Sequence, residues 1–331
     1  MNGTDVVMVT WNHAPSLRAA LAGLSAQSDH LASVTVVDNN SLDDSAGIVR
    51  DWSARLPLRL VEMGENSGFA RAANAGIRAG SAPWVLSLNP DCRLEPGFLS
   101  CLVKAATRHG AGHACGLLLR TEGTDLAAGN MVDSAGMVVT WSGRHHDRGT
   151  GAPILERFLQ PAWVFGASGA CALYRREALD DVAYARGEVF DEGFFAYRED
   201  ADLSWRLQRR GWRCLYWPTA RGVHQRGLRP EARRRGSSEV NRHSVRNRFL
   251  LRWANADWRW YLRCFPSWWL RDLAVIGACL TVERSSLSGL TEAFRRRSAQ
   301  RRRGKANLLR SRVSGWEVAR WFSLSGRVEE L

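Results

Sequence analysis

The chain lacks the cysteine patterns that mark disulfide frameworks and zinc sites. Its seven cysteines are scattered over 331 residues, and no two of them form a CxxC pair. An odd count in a long chain that is not rich in cysteine favours reduced thiols. We therefore expect a protein of the reducing cytoplasm.

Long hydrophobic runs are also missing. The longest uncharged apolar run in the C-terminal half extends from Leu273 to Val282, which is ten residues. A helix needs about 20 such residues to cross a bilayer. The chain enters a strand-like pattern at Asp5 without a basic, signal-like leader. These features predict a cytoplasmic protein that no helix of its own anchors in a membrane.

Two nucleotide-binding signatures are absent as well. No GxGxxG follows the first strand-like segment, and no GxxxxGK[ST] occurs anywhere. The first absence excludes a dinucleotide-binding fingerprint, and the second excludes a phosphate-cradling P-loop. A bound nucleotide would have to be held by side-chain carboxylates, backbone groups and a metal ion.

The positive charge is unevenly placed. The net charge is −2 over residues 1–225 and +15 over residues 226–331, which together give +13. A basic region binds phosphate of any kind, so a nucleic-acid-binding protein is one alternative. No RRM, KH or zinc pattern accompanies the basic clusters, and we therefore expect no nucleic-acid partner.

Strand and helix patterns alternate through the first ninety residues. Strand-like segments occupy 5–11, 33–37, 58–62 and 84–88, with helical patterns at 16–26, at 43–54 and after Gly68. Further on, 163–174 resembles one apolar strand with small residues at its centre, and 212–218 resembles another. Alternation of this kind predicts an α/β fold with a doubly wound, mostly parallel sheet.

Polar side chains follow three of these strands. They are Thr10 and Asn12, then Asp38 and Asn39, then Asn89 and Asp91. The carboxyl ends of parallel strands share one edge of a sheet, where such folds bind ligands. Asp91 offers hard oxygen to Mg²⁺ or Mn²⁺, which often bridges a carboxylate to substrate phosphates. Asp38 accepts from a pyrimidine base or caps the following turn, and position alone leaves both interpretations open.

A glycine loop after the third strand opens a helix at 66–76. Gly68 either lets the backbone approach a ligand or ends a turn, and Arg71 faces a phosphate, a base or solvent. Farther along, His224 stands alone as either a structural histidine or a second ligand of a metal held by Asp91.

A second acidic stretch is Glu199-Asp200-Ala201-Asp202. The following helical pattern ends at Gly211, so Asp200 is expected in the first helical turn. There the helix dipole favours the anion, and an ionised carboxylate beside a sugar hydroxyl is a suitable general base. The alternative is that all three carboxylates are ordinary N-terminal helix charges.

These segments together resemble glycosyltransferase family 2, which has the nucleotide-sugar GT-A fold, and most closely its bacterial rhamnosyltransferases. The matching segments are 9–12, 36–41, 66–76, 88–91, 190–197, 199–203, Arg206, 211–212 and His224, in the family's order. The resemblance covers about residues 4–250.

The resemblance implies a role for each matching residue. Asp38 would contact the nucleotide base, and Asn89 and Asp91 would take the outer positions of the family's DxD motif. Asp91 and His224 would bind Mg²⁺ or Mn²⁺ on the donor diphosphate. Asp200 would be the catalytic base, with Glu199 beside it. The remaining predicted donor-binding residues are Thr10, Asn12, Asn39, Gly68 and Arg71.

The implied reaction is an inverting sugar transfer. The best match is L-rhamnose from dTDP-rhamnose to a glycan or polyprenyl-linked acceptor in cell-envelope polysaccharide synthesis. Another hexosyltransferase using a UDP- or GDP-sugar is the first alternative. A nucleotidyltransferase and a non-catalytic sugar-nucleotide-binding module are the others.

The basic C-terminal region is predicted to be a helical appendage over residues 251–331, after a catalytic domain at 1–250. Aromatic residues alternate with arginine between Trp253 and Trp269, a mixture that suits the lipid headgroup boundary. We therefore expect peripheral association with the anionic inner face of the cytoplasmic membrane. The alternative is that these aromatic residues pack on the catalytic domain.

Overall fold

A computed structural model describes residues 3–27, 29–121, 126–127, 129–225 and 238–331. Its first half is a repeated strand–helix unit. The strands are β1 (Thr4–Thr10), β2 (Leu31–Asp38), β3 (Leu58–Glu62) and β4 (Trp84–Leu88). The connecting helices are α1 (Ala14–Ser25), α2 (Ser45–Trp52) and α3 (Phe69–Arg78). The strands lie in the order β3-β2-β1-β4 and are parallel, which confirms the prediction from the alternating pattern.

The rest of the sheet continues outward from β4. It uses β5 (Cys92–Leu94), α4 (Phe98–Arg108), β6 (His113–Arg120), β7 (Val132–Ser134), β10 (Ala162–Val164), β11 (Cys171–Arg175) and β12 (Cys214–His224). β11 is antiparallel to both β4 and β6, and β12 is parallel to β6. One antiparallel strand therefore separates two parallel sets, as in a mixed α/β sheet.

The segment predicted as one strand at 163–174 forms two strands, and this prediction was wrong. β10 and β11 are separated by residues 165–170, which contain the small residues. A Cβ on Gly166 would collide with the side chain of Ser204. The small residues therefore allow close approach of the helix α6 (Glu199–Arg209), and pairing is interrupted there.

Helices cover both faces of the sheet and bury its side chains. One face holds Leu17, Leu21 and Leu102 against the strands. The opposite face holds Ile77 of α3 and Leu203 of α6, with α5 (Arg176–Val182) beside them. The carboxyl ends of the strands thus rest on a core that is buried from two sides.

The C-terminal region is helical and returns to the sheet. Its helices are α7 (Ser238–Asn255), α8 (Trp258–Arg263), α9 (Ser267–Thr281), α10 (Leu287–Leu309) and α11 (Gly315–Ala319). β13 (Phe322–Ser323) then pairs with β8 (Met137–Thr140), whose other neighbour is β9 (His145–Asp147), and β14 (Glu329–Glu330) pairs with β10. The predicted boundary at residue 250 lies inside α7, and the division into two units stays a prediction.

The aromatic residues of this region divide into two groups. Trp260 is buried against Trp205 and Phe322, whereas Trp258, Phe265 and Trp269 are exposed. Within the described ranges no single helix has the length and hydropathy of a membrane span. Two consecutive helical segments, Ser267–Thr281 and Arg284–Leu309, together have that length and hydropathy, and they are bent by 111° relative to each other.

Candidate active site

The carboxyl ends of β1 and β2 meet at Thr10 and Asp38, which are paired in register. The Asp38 carboxylate accepts from the N–H of Ser41 at 3.1 Å and from the Ser41 hydroxyl. Asp38 therefore stabilises its own turn, as the simpler interpretation predicted. The same carboxylate is buried at the strand end, where the donor crevice is predicted.

Two asparagines join the loops around this edge. The Asn12 side-chain oxygen accepts from Leu42 N–H at 2.7 Å, and the Asn39 side-chain oxygen accepts from Ser67 N–H at 2.9 Å. Asn12 also has a positive φ of 59°, a conformation that asparagine tolerates well. Both side chains thus shape the crevice. Trp11, exposed to 50% at the end of β1, was not singled out from the sequence.

The glycine loop contacts the segment before α6. Gly68 has a φ of +81°, and a Cβ there would lie 2.5 Å from the Phe195 ring. The N–H of Ala70 donates to the Phe195 carbonyl at 3.1 Å. Arg71 instead pairs with Glu65 at 3.2 Å, with both side chains more than half exposed. The loop therefore brings the α3 start to the acidic helix, while Arg71 lies at the surface.

Asp91 and His224 are brought together by strand pairing. His224 is the last residue of β12 and pairs with Cys92 of β5, directly after Asp91. Its Nε2 lies 3.4 Å from Asp91 Oδ1. That oxygen is buried, and among the described residues it has no hydrogen-bond partner, which fits a group that binds a cation. The pair therefore fits one side of a metal site.

Asp133 on β7 supports His224 from the other side. Its carboxylate lies 2.7 Å from His224 Nδ1 and is fully buried. Burial would lower the pKa of His224, but the hydrogen bond to Asp133 and the negative charges of Asp133 and Asp91 outweigh it and raise that pKa well above its usual range. A metal ion at Nε2 would have to displace the proton from that nitrogen. A carboxylate behind an imidazole commonly orients a metal-binding histidine. Sequence reasoning missed Asp133, because no motif surrounds it.

No group of three or more histidine, cysteine or acidic side chains suited to a metal ion occurs in the described part of the chain. Mg²⁺ is often bound by one or two carboxylates together with substrate phosphates. Asp91 and His224 fit such a site, in which the substrate supplies the remaining ligands.

Residues 169–170 connect the chain just before Asp91 to α6. The N–H of Asn89 donates to the Ala170 carbonyl at 2.8 Å, and the N–H of Gly169 donates to Asp200 Oδ2 at 3.0 Å. A Cβ on Gly169 would lie 3.1 Å from the same oxygen. Two adjacent residues, Gly169 and Ala170, thus hold both the carboxylate of Asp200 and the strand end at Asn89.

Asp200 lies in the first turn of α6, as predicted, and is half-buried. Its second oxygen accepts from the N–H of Ala201 at 2.7 Å. Burial and the charge of Asp147 raise the pKa of Asp200 to about 6, despite the helix N-terminus. The carboxylate is still mainly ionised at neutral pH and can accept a proton.

Glu199 differs from its neighbour. Burial and the charge of Asp200 raise the pKa of Glu199 to about 8, and one of its oxygens is buried with no hydrogen-bond partner in the described part of the chain. The side chain is therefore mainly neutral at pH 7. A protonated carboxyl donates a hydrogen bond and is poorly suited to act as the base.

The other nearby acids are engaged in structural contacts. Asp202 binds Arg206 at 2.8 Å and Asn255 at 2.7 Å. Asp191 binds Gln300 of α10 at 2.9 Å and lies 2.8 Å from Arg303. Their charges are neutralised within the fold, so Asp200 is the carboxylate of this cluster best suited to proton transfer.

Comparison with known proteins identifies the class. Residues 5–183 match the family model described as glycosyl transferase family 2. The chain is 32% identical over 308 residues to the N-acetylglucosaminyl-diphospho-decaprenol L-rhamnosyltransferase of Mycobacterium tuberculosis, covering 85% of this chain and 93% of that one. The chain therefore belongs to glycosyl transferase family 2 and is a glycosyltransferase.

Solved structures share its fold. S. aureus TarS 1-349 in complex with UDP-GlcNAc matches with a TM-score of 0.56 at 16% identity, covering 92% of this chain and 89% of that one. The mannosyltransferase PcManGT from Pyrobaculum calidifontis, in complex with GDP-Man and Mn²⁺, matches with 0.54 at 19%, covering 95% and 87%. These likenesses confirm the predicted GT-A fold.

Proposed function

We propose that this glycosyltransferase moves L-rhamnose from dTDP-rhamnose to a hydroxyl of a polyprenyl-linked glycan, in the synthesis of bacterial cell-envelope polysaccharide. The observation that carries the proposal is the match to the mycobacterial rhamnosyltransferase over most of both chains. The name of that relative specifies both the sugar and a diphospho-decaprenol acceptor.

The donor is proposed to bind at the carboxyl ends of β1, β2 and β4 and at the start of α3. The residues assigned to it are Thr10, Asn12, Asp38, Asn39, Gly68, Arg71 and Asn89. Asp91 and His224 would hold Mg²⁺ or Mn²⁺ at the diphosphate. When bound, that ion supplies Lewis-acid neutralisation of the charge on the departing nucleoside diphosphate.

Asp200 is assigned as the general base of an inverting displacement. It accepts the proton of the acceptor hydroxyl as that oxygen bonds to the anomeric carbon and the bond to the nucleoside diphosphate breaks. Two backbone N–H groups fix both carboxylate oxygens, so no large side-chain reorganisation is needed. The hydrogen bonds of residues 169–170 to Asn89 and to Asp200 support this assignment, because they link the proposed donor site to the proposed base and would favour correct relative orientation.

A donor panel tests the proposal. The purified protein is given dTDP-rhamnose, UDP-GlcNAc or GDP-mannose, with a polyprenyl-diphosphate-linked N-acetylglucosamine acceptor and Mg²⁺ or Mn²⁺. We expect release of dTDP and a glycosylated product of inverted configuration. Turnover of only a UDP- or GDP-sugar would replace rhamnose with the alternative hexosyl donor. Pyrophosphate release from dTTP and a sugar 1-phosphate, without turnover of any nucleotide sugar, would indicate a nucleotidyltransferase.

The acceptor end of the reaction is proposed to lie at an anionic membrane surface. The surface of α8, α9 and the link between them exposes Leu262, Phe265, Trp269, Leu270 and Leu273, with Arg263 and Arg271 exposed among them. Exposed apolar side chains bordered by arginine suit an anionic bilayer, and the C-terminal region carries the charge excess. We infer that this surface docks on the inner side of the cytoplasmic membrane.

A further inference from the structure

Asn247, on helix α7, is fully buried against the loop that precedes α6. Its side-chain nitrogen donates to the carbonyl oxygens of Phe194, Ala196 and Tyr197, at 2.9, 2.8 and 2.7 Å. An NH₂ group has two N–H bonds, so at least one of them is shared. A single side chain therefore fixes three carbonyl groups of one short loop.

The neighbouring Arg246 sets the direction of this amide. Its Nε donates to Asn247 Oδ1 at 2.8 Å, and its Nη2 donates to the Phe194 carbonyl at 2.6 Å. Because a guanidinium only donates, the atom facing it must be the amide oxygen. The NH₂ group consequently faces the loop, and both side chains hold the same backbone.

The loop has an unfavourable backbone conformation. Phe195, Tyr197 and Arg198 have φ values of 65°, 70° and 77°, in the left-handed region that residues other than glycine rarely adopt. Such conformations persist when surrounding contacts over-determine them, and they cluster at functional sites. Here the loop ends at Arg198, two residues before Asp200.

We propose that Asn247 is a positioning residue for sugar transfer: by holding the carbonyl groups of 194–197, it fixes the start of α6 and thereby the carboxylate of Asp200. The inference rests on the proposed role of Asp200 as the base. A small displacement of a reacting group lowers the rate steeply, so the effect should fall on turnover more than on donor binding.

Two variants and a matched control test the proposal. Asn247→Ala removes the donors, whereas Asn247→Asp keeps the shape and the contact with Arg246 but has no N–H to give. Asn255 is also buried in α7 and donates to Asp202 and the Leu251 carbonyl, away from the loop. Asn255→Ala is therefore expected to lose stability and to keep kcat within about threefold.

For both Asn247 variants we expect kcat to fall by at least about tenfold, while the KM for dTDP-rhamnose changes less than about threefold. The acid limb of the kcat profile should move to lower pH, because a looser loop admits water to Asp200 and burial is the main cause of its raised pKa. If Asn247→Ala does not fold, the same changes in kcat, KM and pH profile are expected of Asn247→Asp and decide the test.

A double-mutant cycle separates this proposal from the base assignment. Adding Asn247→Ala to Asp200→Asn should lower transfer no further, since the effect acts through Asp200. Transfer retained by Asp200→Asn alone would reject the base and this inference with it. An unchanged kcat in Asn247→Asp, an equal loss in Asn255→Ala, or multiplicative losses in the cycle would overturn only the role of Asn247.

Discussion

At the scale of single residues, two adjacent carboxyl groups have different protonation states. Both lie in the first turn of α6, where the helix dipole favours anions, yet burial raises the pKa of each. Asp200 keeps two backbone N–H partners, whereas one Glu199 oxygen has none among the described residues. Burial and the charge of Asp200 thus leave Glu199 mainly neutral at pH 7, while two backbone hydrogen bonds help to keep Asp200 mainly ionised.

Asp200→Asn should bind the donor normally and lose transfer by roughly 10²–10⁴-fold, because the amide keeps the shape and cannot accept a proton. In the wild type, kcat should fall as the pH drops below about 6, where Asp200 becomes protonated. Steady-state kinetics over pH, with donor titration calorimetry, measure both. Glu199→Gln replaces a mainly neutral group, and a larger loss there than in Asp200→Asn would contradict the assignment.

Asp91→Ala should abolish Mn²⁺ binding in the presence of dTDP, because it removes the carboxylate whose buried oxygen faces His224. Electron paramagnetic resonance of free Mn²⁺ measures this without turnover. Glu62→Ala is the matched control, since Glu62 is a carboxylate at the end of the parallel strand β3 but is exposed and paired with Arg50. Equal Mn²⁺ affinity in wild type and Asp91→Ala would exclude the site.

At the scale of elements, the fit of α3 against β1 depends on a missing side chain. A Cβ on Gly76 would collide with the side chain of Val7, on the buried face of the sheet. For Gly277, in the interior of α9, no atom of the described residues beyond its own helix backbone lies within 4 Å of the same position. Both glycines lie within helices, so alanine raises helix propensity at each, and only their surroundings differ.

Gly76→Ala should therefore lower the free energy of unfolding by about 1–2 kcal/mol, since overpacking outweighs the gain in propensity. Gly277→Ala should raise it by about 0.5–1 kcal/mol. Urea denaturation of both variants measures the difference. Equal effects of the two substitutions would show that the α3–β1 contact accommodates an added methyl group.

At the scale of the whole molecule, the sequence was most informative where structure is local. The alternating strands β1 to β4, the polar residues at their carboxyl ends and the start of α6 at Glu199 are each set by neighbouring residues, and all were predicted. The small residues of 163–174 were noticed, but their effect on pairing depends on α6, which is distant in sequence.

The missed contributions come from long-range contacts. Asp133 meets His224 across 91 positions, and Asn247 meets Tyr197 across 50. Neither residue lies in a motif, and only the pairing of β7 and the return of α7 bring them to the site. The second contact shows that α7, which crosses the predicted boundary at residue 250, shapes the loop before Asp200.

The same region determines how membrane docking should be tested. A chain ending near residue 250 would cut α7 and remove β14 from the sheet edge, so its loss of binding would be uninformative. Arg248 and Arg252 of α7 also bind Asp272 of α9. Substitutions on the exposed surface, which leave these contacts in place, are the better probe.

Leu270→Asp combined with Leu273→Asp should weaken co-sedimentation with anionic vesicles, because it replaces exposed apolar side chains with charges that anionic lipid repels. Wild-type binding should be strongest at low salt, since each basic residue near the surface contributes about 1 kcal/mol. Leu309, which is 79% exposed at the C-terminal end of α10, provides the control, and Leu309→Asp should bind as wild type does. If the wild type ignores anionic vesicles at low salt, or the double variant binds them equally well, this surface of α8 and α9 does not dock on lipid.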